Sequence, residues 1–218
     1  GITSDSRKVC DGFLFAALPG VNSHGINFVS SAIQAGASAI LTDKIGYSKY
    51  FSNSNTSNVV FVVVENPRET LARCAALWFE QQPAQIVAVT GTNGKTSVAS
   101  FCQQIWSNLD IEAVSIGTNG VRGAWTQSLR HTTPDALEMH QLLFKLKANG
   151  IDHVALEASS HGLDQSRLDG VQFSGACFTN FSQDHLDYHK SKDDYFEAKS
   201  LLFRRLLTSD KTAVFNVN

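Results

Sequence analysis

Apolar and polar positions along this chain of 218 residues follow two patterns, with a change near Pro83. Before that proline, short apolar runs alternate with turn dipeptides, and only a few stretches have helical spacing. After it, apolar runs of strand length alternate regularly with stretches of helix length, which is typical of a mostly parallel sheet with helices on both faces. The pattern therefore predicts an α/β protein of two domains, residues 1–83 and residues 84–218.

The first domain is expected to be a small α/β module. Its apolar runs and helical spacings predict strands over residues 13–18, 39–42 and 59–64, and helices over residues 28–35 and 68–82. Gly36 and Pro83 are the expected stops of the two helices, because glycine closes a helix and proline cannot continue one. The second and third strands are expected to be buried, with a Ser- and Asn-rich loop between them at residues 52–58.

The second domain is expected to alternate strand and helix. The pattern predicts strands over residues 86–90, 113–116, 153–157, 176–181 and 213–218, and helices over residues 96–109, 133–148 and 195–203. A polar loop is expected after the second of these strands, as far as Trp125. In open α/β sheets, ligands collect beyond the carboxyl ends of the strands. The residues therefore expected at one rim are Lys95, Thr96, Glu157, Asp184 and His185.

A glycine-punctuated turn follows the strand at residues 86–90 and predicts a phosphate-binding loop. Gly91 and Gly94 permit backbone angles and close approaches that a side chain would forbid, and the following helix offers its N-terminus to an anion. Lys95 supplies a charge for the phosphates, and the Thr96 hydroxyl can bind a magnesium ion carried by the nucleotide. ATP is the expected ligand. The residues expected to hold its phosphates are Gly91, Thr92, Asn93, Gly94, Lys95, Thr96 and Ser97.

The loop is a shortened variant of the usual pattern, because Val89 stands where that pattern has another glycine. A strand-to-helix turn with an incidental lysine is the alternative. Glu157 ends an apolar strand and can ligate magnesium, which prefers oxygen ligands, or can be a solvated strand end or cap. His161, just beyond it, is either a packing residue or a substrate contact.

Residues 182–189 bring two acids and two histidines together, with His185 among them. The spacing matches neither a zinc helix nor a Ser/His/Asp order, so the segment is either a polar loop or, beside a phosphate loop, a second metal site. Lys199 lies on an amphipathic helix and, from composition alone, is a solvated helical lysine. Its cation would repel magnesium unless modification removed or inverted the charge.

Composition narrows the classes of partner. Hydrophobic residues make up 43%, charged residues 17%, and the net charge is −2, which excludes a basic nucleic-acid surface or an acidic disordered tail and favours small-molecule partners. The longest apolar run, residues 59–64, is far short of the roughly 20 residues that span a bilayer, so a soluble protein with no membrane partner is expected. Four cysteines without paired spacing suit a reducing cytoplasm and are expected in the core.

Both ends of the sequence look cut. It begins at Gly1 without a methionine and stops within a strand-like run, residues 213–218. We therefore expect a fragment of a longer protein, from which a targeting peptide could have been lost.

The chain resembles the Mur ligase family in seven segments that follow one another in the family's order. They are Asp5-Ser6-Arg7, Gly12-Phe13-Leu14-Phe15, the loop from Thr90 to Thr96, His131-Thr132-Thr133-Pro134-Asp135, Glu157 to Arg167, Thr179 to His189, and Tyr195 to Phe203. The phosphate loop is shared with the folylpolyglutamate synthases. The Glu-x-Ser-Ser-His-Gly-Leu and Asp-His-Leu-Asp-Tyr-His motifs are much more specific to the branch that adds the third peptide residue of peptidoglycan.

The resemblance implies a UDP-binding first domain, a central ATP-binding domain and an ATP-dependent amide ligase. In such a reaction, ATP phosphorylates the terminal carboxylate of UDP-MurNAc-L-Ala-D-Glu, and the amine of an incoming amino acid attacks the acyl phosphate. The added residue is meso-diaminopimelate or L-lysine, and its pocket belongs to a third domain that has no counterpart in this sequence. We therefore expect a monomer that, as this chain alone, is catalytically feeble, because domain closure completes such sites.

The resemblance also assigns roles to single residues. Lys95, Glu157, His185 and Lys199 are implied to be catalytic. Thr96 and Glu157 would bind a first Mg²⁺, and Glu157, His185 and Lys199 a second, with Lys199 as an anionic carbamate. The residues implied to bind the UDP-linked substrate are Ser4, Ser6, Asn22, Thr132, Thr133, Ser159, Gln165 and Arg167. Two positions depart from the family pattern, since His131 replaces a frequent Asn and Ser4 a frequent apolar residue.

Two alternatives stay open from sequence. A folylpolyglutamate synthase-like ligase would use the same scaffold on a substrate without UDP. A non-catalytic ATP-binding module would hold nucleotide in a way that does not depend on Glu157, His185 or Lys199.

Overall fold

The structure, a computed structural model, describes residues 1–20, 23–52, 59–185 and 187–217. The predicted substrate residue Asn22 lies outside these ranges, as does most of the Ser- and Asn-rich stretch predicted as a loop. Contacts within the chain separate two units, Gly1–Cys74 and Ala75–Asn218. This division falls earlier than Pro83, where the sequence pattern changes.

The first unit is built on a parallel sheet of four strands. In chain order its elements are β1 (Ile2–Thr3), β2 (Leu14–Ala16), α1 (Val29–Gln34), β3 (Ala39–Thr42), α2 (Lys44–Ser52), β4 (Val60–Val63) and the start of α3 (Pro67–Phe79). The strands lie in the order β1-β2-β3-β4. Phe15 and Ile40 from the central strands pack with Val29 and Tyr50 from the helices to form the core.

Three details of this unit differ from the expectations. The sequence pattern did not predict α2. The prediction that the third strand is buried is wrong, because β4 lies at the sheet edge and Val60 is 63% exposed. Helix α1 ends before Gly36, as predicted, where φ is +98°. Helix α3, in contrast, ends at Phe79, before Pro83, because Glu80 adopts a left-handed φ of 58°.

The second unit contains a sheet of six strands in the order β10-β9-β5-β8-β6-β7. Its elements are β5 (Gln85–Thr90), α4 (Lys95–Asn108), β6 (Ala113–Gly117), β7 (Gly120–Gly123), α5 (Ala136–Ala148), β8 (His153–Glu157), α6 (Ser160–Asp164), β9 (Gly175–Phe178), α7 (Lys192–Leu201) and β10 (Thr212–Phe215). All neighbouring strands are parallel except β7, which runs antiparallel to β6. The predicted mostly parallel sheet is confirmed.

Helices cover both faces of this sheet. Alternate residues of a strand point to opposite faces. Ile86 of β5 therefore packs with Leu143 of α5 in the larger core, whereas Val89 of the same strand packs with Ala99 of α4 in a smaller one. This arrangement confirms the predicted α/β fold, and it places the carboxyl ends of β5, β8 and β9 at one edge, since these strands are parallel neighbours.

The predicted loop between β6 and Trp125 contains β7, so that expectation is wrong. Helix α5 begins at Ala136, three residues later than predicted, because Asp135 is the cap and its side chain accepts from the backbone N–H of Glu138 at 2.9 Å. Within the described ranges, the structure contains no helix with the length and apolar character needed to cross a membrane. The four cysteines form no disulfide, and Cys10 is exposed rather than in the core.

Candidate active site

The loop between β5 and α4 needs glycine at two positions. Gly91 has a φ of +139°, and a β-carbon there would collide with the hydroxyl of Thr179. Gly94, with a φ of +82°, is the left-handed residue that caps α4. Helix α4 therefore starts at Lys95 with its N–H groups directed at the mouth of the loop, since the first helical hydrogen bond runs only from Val98 N to Gly94 O.

The segment that follows β9 holds this loop from the other side. The backbone N–H of Thr92 donates to the carbonyl of Asn180 at 2.9 Å, and that of Asn93 donates to the Asn180 side chain at 2.9 Å. The Thr92 hydroxyl also donates to the carbonyl of Ser182 at 3.1 Å. Two of the amides predicted to bind phosphate are therefore engaged within the protein, and the N–H groups that face the mouth of the loop are those in the first turn of α4.

Lys95 folds back over the loop that precedes it. Its Nζ donates to the carbonyls of Gly91 and Thr92 at 2.9 and 2.8 Å. Burial lowers the pKa of Lys95, while the nearby carboxylates of Glu157 and Asp184 act in the opposite direction. The ammonium group is thus held at the mouth of the loop, where a bound phosphate would meet it.

Lys199 is buried, with only 1% of its surface exposed. Its Nζ donates to the carbonyl of Gly91 at 2.8 Å and lies 4.3 Å from the centre of the Tyr195 ring. Burial, and then the charge of Lys95, lower the pKa of Lys199 to about 7. The interpretation of Lys199 as a solvated helical lysine, drawn from composition alone, is therefore wrong, because Lys199 lies on the buried face of α7.

Glu157 ends β8 and is 2% exposed, so it is not a solvated strand end. One carboxylate oxygen accepts from the backbone N–H of Thr118 at 2.8 Å, and the other from the Thr118 hydroxyl at 3.3 Å. Gly117 makes room for this carboxylate, since a β-carbon at that position would collide with it. The end of β6 therefore positions the acid that ends β8.

The buried Thr133 and the half-buried Ser159 form a hydrogen-bonded pair beside Glu157. The Thr133 hydroxyl donates to the backbone carbonyl of Glu157 at 2.9 Å and lies 3.0 Å from the Ser159 hydroxyl. It also accepts from the backbone N–H of Ser159 at 3.1 Å. Ser159 caps α6 by accepting from Gly162 N, and Thr132 lies next to the pair, 3.2 Å from the Thr118 hydroxyl.

Arg167 and Gln165 follow α6 and bind each other. The Arg167 Nε and Nη2 donate to Gln165 Oε1 at 3.2 and 2.7 Å, and Nη1 donates to the carbonyl of Thr133 at 2.8 Å. The Gln165 side chain in turn donates to the Tyr188 hydroxyl at 3.0 Å, which itself donates to Asp164 at 2.6 Å. This network fixes the orientation of a guanidinium at the cleft.

Three histidines lie in ring contact next to these residues. The His161 ring centre is 4.0 Å from that of Tyr188, 5.1 Å from that of His185 and 5.6 Å from that of His189. Burial, and then the neighbouring cations, lower the pKa of His161. His185 is exposed and has a left-handed φ of 52°, whereas His189 is buried. His161 thus both packs and borders the cleft, so its two predicted roles are compatible.

The cleft formed by these groups has a volume of about 560 Å³. Its lining includes residues that the sequence predicts at one rim of the sheet, and several other residues as well. Its lining residues are Thr92, Asn93, Gly94, Lys95, Thr96, Thr118, His131, Thr132, Thr133, Glu157, Ser159, Ser160, His161, Arg167, His185 and Lys199. Of the predicted site residues in this unit, Gly91, Ser97 and Gln165 are not among them, and Gly91 and Gln165 act by holding Lys199 and Arg167.

The first unit carries the other predicted contacts. Ser4 directly follows β1 and is exposed. Ser6 is half-buried in a short helical turn capped by Asp5, whose carboxylate accepts from the backbone N–H of Arg7 at 3.1 Å. Ser4 and Ser6 therefore lie in the turn that follows β1.

Sequence reasoning missed four residues of the site. Thr118 and Gly117 lie in the segment predicted as a polar loop, Asn180 in a predicted strand, and Tyr195 in a predicted amphipathic helix. The only signal for Tyr195 was its position four residues before Lys199, a spacing that places two side chains on one helix face.

The donors of the site fit a magnesium ion that keeps several waters. Within the described ranges, no three His, Cys, Asp or Glu side chains lie close enough together to hold a metal. The predicted ligands contain only two such residues, Glu157 and His185, and otherwise depend on the Thr96 hydroxyl and a modified Lys199. Because Mg²⁺ is usually bound by one or two carboxylates plus substrate phosphates and water, this incomplete protein set is compatible with it.

Comparison with known proteins matches both units to models of the same family. Residues 1–79 match the model described as Mur ligase family, catalytic domain, and residues 89–218 match the model described as Mur ligase middle domain. The UDP-N-acetylmuramoyl-L-alanyl-D-glutamate–2,6-diaminopimelate ligase of Brucella melitensis is 46% identical over 98% of this chain and 43% of its own length. The ligase of the same name from Caulobacter vibrioides is 47% identical over 100% of this chain and 45% of its own.

A solved structure of a UDP-N-acetylmuramoyl-L-alanyl-D-glutamate–2,6-diaminopimelate ligase superimposes with a TM-score of 0.81 at 31% identity. The match covers 100% of this chain and 43% of the other. The chain thus spans less than half the length of the relatives it matches.

Proposed function

Because this chain belongs to the Mur ligase family, we propose that it is the UDP-substrate and ATP-binding part of a ligase that adds the third amino acid to UDP-MurNAc-L-Ala-D-Glu. The observation that carries the proposal is that one cleft contains both the Lys95 end of the phosphate loop and the guanidinium of Arg167. The first suits the phosphates of ATP, and the second suits a carboxylate substrate. Their proximity is what phosphoryl transfer to a carboxylate requires.

The chemistry of amide formation explains the rest of the cleft. A carboxylate is a poor acyl donor until it is phosphorylated, so the protein must bring two anions together. Lys95 and the N–H groups at the start of α4 would offset the charge of the γ-phosphate, while Arg167, Thr132, Thr133 and Ser159 orient the carboxylate. An amine then attacks the acyl phosphate, the amide bond forms and phosphate leaves.

Thr96 and Glu157 would hold one magnesium ion. Glu157, His185 and a carbamate on Lys199 would hold a second. These ions would neutralise charge on the transferring phosphoryl group. The burial of the Lys199 amine and its pKa of about 7 support this assignment, because an unprotonated amine is the form that reacts with CO₂. Both carboxylate oxygens of Glu157 accept hydrogen bonds from Thr118, and Glu157 lines the cleft.

The first unit would bind the uridine part of the same substrate through Ser4, Ser6 and Asn22. The family resemblance supports this role, and the exposure of Ser4 keeps its hydroxyl accessible. The expected site of action is the cytoplasm, where ATP is available. The names of the relatives give 2,6-diaminopimelate as the added residue, and the proposal that this chain shares their reaction extends that residue to this chain.

Calorimetric titration tests the function. The chain should bind UDP-MurNAc-L-Ala-D-Glu and MgADP, and Arg167→Ala should weaken only the first ligand. Tight folate binding with indifference to the UDP-linked ligand would instead support a folylpolyglutamate synthase-like enzyme. Nucleotide binding that is unchanged in Glu157→Gln, His185→Ala and Lys199→Ala, without any binding of the UDP-linked ligand, would indicate a non-catalytic module.

The carbamate has its own test. Mass spectrometry of the chain equilibrated with ¹³C-bicarbonate, after trapping of the carbamate as an ester, should find the label on Lys199. Lys192, on the same helix but exposed, is the internal control. Label on both residues, or on neither, would contradict the proposed metal role of Lys199.

A further inference from the structure

The guanidinium of Arg205 lies outside the cleft and contacts three residues that precede or follow Arg167 in the sequence. The Nη2 of Arg205 lies 2.8 Å from Oδ2 of Asp169. The same atom lies 3.4 Å from the carbonyl of Leu163 and 3.5 Å from the hydroxyl of Ser166. Arg205 therefore brackets the segment that carries Arg167, with contacts before and after it.

The backbone of this segment is strained next to Arg167. Ser166, the residue before it, has a left-handed φ of 54° and is 1% exposed. Such angles are unfavourable for non-glycine residues, which keep them only where the surroundings fix them. The contact from Arg205 to the Ser166 hydroxyl is one such constraint, and the hydrogen bond from Arg167 N to Gly162 O at 2.8 Å is another.

Asp169 is anchored on two sides. Its side chain is 3% exposed, and an ionised carboxylate at that depth needs a partner, which Arg205 provides. Its backbone carbonyl accepts from the Nε2 of the buried His140 at 2.9 Å. The ion pair thus connects Arg205 to a fixed point in the core rather than to a mobile surface group.

Arg205 reaches this position from a π-helical turn, Leu202–Leu206, that directly follows α7. The turn is closed by a hydrogen bond from Leu207 N to Leu202 O at 2.9 Å. A π-helical turn shifts the side chains that follow it relative to a regular helix, and such turns are frequent near functional sites. Because α7 carries Lys199, Arg205 joins the lysine helix to the Arg167 segment.

We propose that the Asp169–Arg205 ion pair is a positioning device that holds Arg167 at the cleft for an anionic group of the substrate. Arg205 itself does not line the cleft, so it acts through Arg167. The assignment of that anion to the carboxylate of UDP-MurNAc-L-Ala-D-Glu rests on the proposed function. The positioning of Arg167 does not depend on it.

The test measures the order of the Arg167 side chain. The Nε–H of Arg167 donates to Gln165, so its signal in a ¹H–¹⁵N spectrum, assigned with Arg167→Lys, should exchange slowly with water. Arg205→Gln should accelerate that exchange by about ten-fold or more, since a residue released from a local structure exchanges at its opening rate. Arg204→Gln is the matched control, because Arg204 lies on the same turn but pairs with Glu197 at the surface.

Unchanged Arg167 exchange in a folded Arg205→Gln variant would overturn the proposal, and so would equal effects of the Arg204 and Arg205 variants. If Arg205→Gln does not fold, Arg205→Lys decides the question. Its ammonium ends one bond short of the position of Nη2, the atom that makes all three contacts, so the exchange should still accelerate.

A double-mutant cycle on substrate affinity gives the second arm. Arg205→Gln should weaken binding of UDP-MurNAc-L-Ala-D-Glu by about ten-fold in the wild-type background and have almost no effect in Arg167→Ala, since residues that act through one another are not additive. MgADP affinity should stay unchanged, which a general loss of structure would not allow. Absence of substrate binding by the wild type would count against the proposed function alone, while the exchange rates would still decide the positioning role.

Discussion

Lys95 and Lys199 donate to the same oxygen, the backbone carbonyl of Gly91, at 2.9 and 2.8 Å. Two ammonium groups on one acceptor repel each other, and this repulsion adds to burial in lowering the pKa of Lys199. A phosphate at the loop would give Lys95 a charged partner in place of a neutral one. The pKa of Lys199 is therefore linked to whether a phosphate is bound at Lys95.

Replacing Lys95 with Met should raise the pKa of Lys199 above its value of about 7. Burial is the larger cause of the shift, so the pKa of Lys199 should rise but stay below that of an exposed lysine. The pH dependence of Lys199 acetylation by a limiting dose of acetic anhydride, followed by peptide mass spectrometry, measures this midpoint. Lys192→Met is the control and should leave it in place.

An alanine at position 117 should displace the Glu157 carboxylate, because the new β-carbon would collide with it. We expect MgADP to bind at least about ten-fold more weakly, a loss of roughly 1.4 kcal/mol. Gly175→Ala is a matched strand variant whose β-carbon would have 3.3 Å to its nearest neighbour, so its affinity should stay close to that of the wild type. Equal affinities for MgADP in the two variants would show that the carboxylate position is unimportant.

Thr133→Val should destabilise the second unit more than Thr133→Ser. Valine removes the hydroxyl that donates to the Glu157 carbonyl and accepts from the Ser159 amide, whereas serine retains both bonds. Leaving buried polar groups unpaired costs about 1–3 kcal/mol. Urea unfolding at pH 7.5 measures the difference, and similar free energies for the two variants would mean that packing of the methyl group matters more than the hydrogen bonds.

Stability should fall as the pH drops below about 6.5, the value of an ordinary histidine. Burial lowers the pKa of His140, so between its folded value and 6.5 the unfolded chain binds a proton that the folded chain does not. The free energy of unfolding therefore rises with pH through this window and is fully regained above it. His140→Gln should flatten the dependence in part, because His161 and His189 also have lowered pKa values.

Urea unfolding of the wild type and of His140→Gln at several pH values from 5 to 8 measures these slopes, which for one group cannot exceed about 1.4 kcal/mol per pH unit. His131→Gln, at an exposed position in the cleft, is the control and should keep the wild-type slope. A variant of His140 with an unaltered slope would refute this source of the pH dependence.

Local sequence features were sufficient for much of the fold. Short apolar runs bounded by turn residues favour buried strands, and the prediction of β8 at residues 153–157 matches the structure residue for residue. The edge strands were harder. Strand β7 is short and contains two glycines, and β4 has the composition of a buried strand but lies at an edge, which depends on its neighbours rather than on its own residues.

The parts of the candidate site that directly follow strands could be predicted from the sequence. The phosphate loop and Glu157 come directly after strands, so the topology alone brings them together. Lys199 could not be assigned from its helix, because its burial depends on how α7 packs against the loop. The role of Asn180 depends on a partner 87 positions away, which no local pattern records.

The hydrogen bonds from Thr92 and Asn93 to Asn180 also affect the entropy of ligand binding. A flexible loop must lose conformational freedom when it closes on a phosphate, at a cost of about 1–2 kcal/mol for each residue that becomes ordered. Here the segment that follows β9 fixes these residues through hydrogen bonds within the protein. An arriving nucleotide therefore meets an ordered backbone, and its affinity is not reduced by the ordering of that loop.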